Sequence, residues 1–155
     1  MTKKLTIKQF IKRIRSHVKI KQLSAQSFYY YVPMATKKWI AAFDPNSNIV
    51  CLKGKQPRLV LFHELIHYIR YTNNNIDCTN QMALLIEELI AFQAGYKISK
   101  ILNCPSKCEI YYAGWNNCKR LADHFMNEQS EQTIKLAANL AIKQLFELVK
   151  LEQKS

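Results

Sequence analysis

Two histidines four residues apart, His63 and His67 in the run HELIH, carry the clearest chemical signal in this chain. On a helix, residues i and i+4 project from one face a turn apart, so both imidazoles can meet a single Zn²⁺ at about 2.0–2.1 Å. Glu64 follows the first ligand directly and can reach a water on the metal. Zinc lowers the pKa of such a water toward about 7, and a neighbouring carboxylate can take its proton and return it to a leaving amine. The chemistry implied is hydrolysis of an amide without a covalent intermediate, with Glu64 as the catalytic base. The plainer alternative is two core histidines bonded to backbone carbonyls, which would bury polar groups in an otherwise apolar helix.

A catalytic zinc takes a third protein ligand and keeps one position open. Arg70 and Asn73 occupy the places where a H-x-x-G-x-x-H continuation would put its Gly and its third His. The ligand must therefore come from another helix. Glu87 and Glu88 follow His67 by 20 and 21 residues in the apolar run LLIEELIAF. Glu88 is preferred, because its one-turn neighbours Ala91, Phe92 and Gly95 supply bulk on one side and room on the other; Glu87 then meets solvent or a basic side chain. His124 is the remaining contender, with Asp77 and Cys78 behind it.

Several elements must position these groups. Pro57 suits the first turn of a helix continuing through about Tyr71, with HELIH at its middle. Thr79 can cap the next helix, which runs from about residue 81 and ends before Pro105. Two more follow, from about Cys108 to Asn127 and from Ser130, a good N-cap, to about Glu152. At the other end, Thr6 caps an amphipathic helix with Ile7, Phe10, Ile11, Ile14 and Val18 at helical spacing, ending near residue 20. Between residues 27 and 52, SFYYYV, KWIAAF and IVCL are aromatic and β-branched around the turn-forming DPNSN, which predicts a β-hairpin. The reading is one α+β, mainly α, domain over residues 1–155. It comprises a basic N-terminal helix over 1–22, a small antiparallel sheet in 27–52 and a helical region over 57–152.

The 155 residues suffice for one buried core. No apolar run resembles a secretory signal or approaches the ~20 residues that span a bilayer, so a soluble, cytoplasmic protein without membrane contact is expected. Five cysteines, an odd number, read as reduced thiols; Cys104 and Cys108 form a C-x3-C pair with no second pair at comparable spacing. The net charge of +12 is concentrated in residues 1–43, which hold ten Lys or Arg and no acid. Lys8, Lys12, Arg13, Arg15 and Lys19 surround the apolar stripe of the first helix. They form a solvated face or, alternatively, a surface for DNA or a DNA-associated protein.

The runs AAFDPNSNIVCL, LFHELIH, EELIAF and YYAGWNNCKRL, followed by an alanine-rich terminal helix, together resemble the zincin-like metallopeptidase domain of ArdC-type antirestriction proteins over roughly residues 38–150. The resemblance implies a zincin fold of gluzincin type, zinc at His63, His67 and a Glu of the EEL pair, Glu64 as base, and a protein or peptide substrate. It also implies a link to the antirestriction systems of plasmids and phages. Phe92 stands where the family often has an acidic residue, and only the basic segment precedes the peptidase-like part, where full-length members have a separate DNA-binding domain. The alternative function is a catalytically silent zincin-fold module that contacts DNA, or a protein on it, through the basic helix.

Overall fold

In the computed structural model, which describes residues 4–104 and 107–151, the fold is mainly helical with one small sheet. Helix α1 (Ile7–Ile14) opens with a reciprocal cap: the Gln9 N–H donates to Thr6 Oγ1 at 3.2 Å, and the Thr6 N–H donates to Gln9 Oε1 at 3.0 Å. Its buried stripe, Phe10, Ile11 and Ile14, is the one the spacing predicts. The helix ends earlier than expected, however. Residues Lys19–Leu23 form strand β1, so Lys19 belongs to a strand and not to the basic helix.

A second correction concerns SFYYYV. Ala25–Tyr31 is helix α2, started by the Ser24 side chain accepting the Ser27 N–H. Phe28 is its buried residue, while Tyr30 and Tyr31 are exposed. Strand propensity here yields to tertiary context, because β1 takes the pairing position and the aromatic segment covers the sheet from outside.

The hairpin itself is present, as β2 (Ala41–Asp44) and β3 (Ile49–Lys53). Its turn is held by Asp44, whose carboxylate accepts from the Asn46 N–H and the Ser47 hydroxyl, and Asn48 takes the left-handed conformation at φ 58°. The sheet is nevertheless mixed and not purely antiparallel. Strand β1 lies parallel to β3 and the order is β1-β3-β2, which among the described residues leaves β2 with a free edge.

Four helices complete the chain: α3 (Arg58–Asn73), α4 (Gln81–Ile101), α5 (Glu109–Ala122) and α6 (Glu128–Leu151). Asn80, not Thr79, caps α4, and Asn127, not Ser130, caps the start of α6 by accepting the Ser130 N–H. Pro105 and Glu152 lie outside the described residues. Helices α3 and α4 are antiparallel, since Arg70 meets Glu87, His67 meets Glu88 and His63 meets Phe92. Helix α3 is buried from Leu59 through Ile69, between the sheet on one side and α4 and α6 on the other. Phe10 stacks edge-on to Phe62 and also meets Phe146, tying α1 into the same core. One contiguous apolar cluster runs from α1 to α6. Full burial of a side chain such as Leu65 or Ile66 contributes about 1.5–3 kcal/mol.

Candidate metal centre

Among the buried residues of α3 stand His63, Glu64 and His67, which are polar groups in an otherwise apolar helix. The two imidazoles project from one face, with their Nε2 atoms 3.2 Å apart. Across from them on α4 is Glu88, with one carboxylate oxygen 3.2 Å from His63 Nε2 and the other 2.9 Å from His67 Nε2. Of the two candidate glutamates it is Glu88 that faces the histidine pair. Glu87 turns the other way and accepts two hydrogen bonds from Arg70, at 3.0 and 2.7 Å. Neighbouring helix positions diverge by about 100° around the axis, so only one of the pair can face α3's histidines.

Gly95 allows the two helices to come this close. A Cβ there would lie 3.1 Å from the His63 backbone nitrogen, 3.3 Å from its Cα and 3.0 Å from the Tyr111 hydroxyl. Tyr111, from α5, closes the site from behind by donating to the Phe92 carbonyl at 2.9 Å, with its ring edge-on to His63. The Phe92 ring itself lies 4.4 Å from that of His63. Where an acidic residue at this position could have oriented an imidazole, an aromatic face packs instead. The Nδ1 atoms of His63 and His67 are buried, with no hydrogen-bond partner among the described residues.

The imidazoles and Glu88 are coupled by charge. Burial alone would push the His67 pKa down, but the Glu88 carboxylate, by charge and by hydrogen bond, outweighs it and holds the group up at about 9. Burial likewise acts to raise Glu88, and the two imidazoles override it and hold the carboxyl well below its ordinary range. Glu64 is raised, chiefly by burial, while the nearby histidines and a hydrogen bond from the Phe43 N–H oppose that rise. The His67 imidazole and the Glu88 carboxylate thus stabilise each other's charged forms.

The donors also fit a metal. Tetrahedral ligands at about 2.0–2.2 Å from an ion stand roughly 3.3–3.6 Å from one another, close to the 2.9–3.2 Å separations found here. With a metal bound, the protons would sit on Nδ1 and each Nε2 would turn its lone pair to the ion.

Glu64, His67 and Glu88 open onto a cleft of about 400 Å³, whose other walls include Trp39, Ala41, Phe43 and Tyr71. Because the Lys53 N–H donates to the Ile40 carbonyl, residues 40, 42 and 44 pair with β3 in alternation, and the backbone groups of Ala41 and Phe43 face the free edge. The cleft therefore runs between that edge and α3. Tyr71 lies one turn beyond His67, a spacing legible in the sequence; nothing local marked Trp39 or Phe43, which reach the site through strand packing.

The other sequence candidates lie elsewhere. His124 is exposed beyond the end of α5, and Asp77 is exposed and engaged with Thr79. Cys78 is exposed beside the Tyr71 hydroxyl at 3.8 Å. Lys8, Lys12, Arg15 and Lys19 are exposed and Arg13 is half-buried; Lys8, Lys12 and Arg13 belong to α1, Arg15 to its C-terminal end and Lys19 to β1. No helix among the described residues is long and apolar enough to cross a membrane. Comparison with protein-family models, with curated proteins and with solved structures finds no match to this chain.

Proposed function

We propose that this chain is a zinc-dependent metallopeptidase of zincin type. The observation that carries the reading is the convergence of His63 Nε2, His67 Nε2 and the Glu88 carboxylate on one point, with Glu64 opening onto the same cleft. Two nitrogens and one carboxylate oxygen make the His₂Glu donor set of hydrolytic zinc sites, in which one position stays open. The zinc would supply Lewis acidity to a water and to the scissile carbonyl.

The chain's own groups account for the rest of the reaction. Glu64 accepts the proton of the attacking water and delivers it to the leaving nitrogen, from a buried position that opens onto the same cleft. The Phe43 N–H keeps the Glu64 carboxylate aimed at the cleft. An extended peptide is the natural occupant, because the free edge of β2 offers the outward backbone groups of Ala41 for pairing. Tyr71 and Trp39 wall the cleft and limit the access of bulk water.

The decisive experiment compares the zinc-loaded protein with Glu64→Gln on an unfolded protein substrate. Glu64→Gln is expected to retain zinc and thermal stability while losing at least about 10²-fold in hydrolysis, the lower end of what a positioned base contributes. Equal cleavage by both proteins, or none by a fully zinc-loaded wild type, would remove the proposal.

A further inference from the structure

The metal cleft does not end at β2. Trp39, Ala42 and Phe43 line it and also line a second groove, of about 410 Å³, on the far side of the same strand. The register explains how one strand serves both. Phe43 and Ala41 pair with Val50 and Leu52 and turn toward α3, where Phe43 meets Tyr68 and Tyr71. Ala42 and Asp44 pair with Cys51 and Ile49 and turn toward the face that α2 covers. The two hollows are thus the two faces of one free edge, and they meet at Trp39.

The second groove is apolar where the first is ionic. Val32, Pro33, Met34, Trp39 and Ile49 line it, and its one charged group, Asp44, is engaged in the hairpin turn by Asn46 and Ser47. Two of these walls are large hydrophobic side chains left in solvent, Met34 at 78% and Trp39 at 39% exposure. Contiguous exposed apolar surface of this kind marks a binding surface more often than chance.

We infer that this groove is a specificity subsite, which accepts a large apolar side chain of an extended peptide held in the metal cleft and excludes acidic ones. Successive side chains of an extended peptide point to opposite faces. A substrate lying beside β2 therefore turns one residue toward the metal and the next toward Met34 and Trp39. The carboxylate of Asp44 at the rim disfavours Asp or Glu in the same place. This inference rests on the peptidase reading, but it concerns which peptides are cut and not whether they are cut.

A peptide library prepared from a denatured proteome, digested by the zinc-loaded protein and read by mass spectrometry, tests it. One position within two residues of the scissile bond is expected to favour Leu, Ile, Met or Phe over Asp by about tenfold or more, the scale on which apolar pockets discriminate. Met34→Ser and Trp39→Ala should reduce that preference severalfold, while Met34→Leu and Tyr30→Ser, the latter outside the groove, keep it. A profile with no apolar preference, or one untouched by Met34→Ser and Trp39→Ala, overturns the subsite and leaves the hydrolysis standing. Absence of any cleavage by the zinc-loaded wild type removes the hydrolysis and the subsite together.

Discussion

Glu87 and Glu88 are consecutive in the chain, yet they face different partners. The Glu87 carboxylate is held by Arg70 at 2.7 and 3.0 Å, and that of Glu88 by the two histidines at 2.9 and 3.2 Å. One glutamate joins α3 to α4 structurally, and the other completes the cluster.

This division predicts distinct phenotypes. Glu88→Ala should lower zinc affinity by more than about 100-fold, beyond what loss of an outer partner costs, with little effect on the metal-free fold. Glu87→Ala should hold zinc nearly as well but destabilise the protein by about 3 kcal/mol, because Arg70 is left half-buried and unpaired. Elemental analysis and thermal melts separate the two, and the reverse ranking of zinc affinities would make Glu87 the ligand.

His63→Ala and His67→Ala should each abolish stoichiometric zinc. In the wild type, zinc at about 100 times its Kd adds roughly 2.7 kcal/mol to the folded state and raises the Tm; neither variant should respond. Zinc uptake by the wild type should also weaken on acidification, since protons compete for the imidazoles and the carboxylate. Titrations that follow Tm against zinc at two pH values measure both effects.

Gly95→Ala should destabilise the protein by about 1–3 kcal/mol, despite alanine's better helix propensity, because two of the three contacts its Cβ meets are His63 backbone atoms that cannot rotate away. The expected response is a widened α3–α4 separation, which carries Glu88 from the histidines and weakens zinc binding. Tyr111→Phe should not rescue it, since the backbone contacts remain. A stable Gly95→Ala protein with full zinc affinity would mean that this close approach is not what sets the site.

Arg70→Ala leaves the Glu87 carboxylate buried and uncompensated, and should cost about 3–5 kcal/mol in stability. The double variant Arg70→Met with Glu87→Leu should recover most of it, because matched apolar groups remove the unpaired charge. Chemical denaturation of the wild type, Arg70→Met, Glu87→Leu and the double variant gives the coupling directly.

The residues HELIH, by type and spacing alone, determined which side chains share a helical face, since the geometry of a helix is local and repeats every 3.6 residues. The same local rule made the helices from Pro57 onward legible, along with the β2–β3 hairpin around DPNSN. It also marked the buried stripe of α1. What the sequence did not contain locally was settled by packing. The end of the predicted helix, from residue 19, becomes part of strand β1 because β3 offers a parallel partner about 30 residues away. SFYYYV becomes a helix because a strand is no longer needed there and the Ser24 cap is at hand. The choice of Glu88 over Glu87 as the group facing His63 and His67 depended on the rotation of α4 against α3. Gly95 and Arg70 establish that rotation from opposite ends of the contact. Trp39 and Phe43 enter the cleft only when the sheet is docked on α3, and no spacing rule joins residues that meet through two different elements.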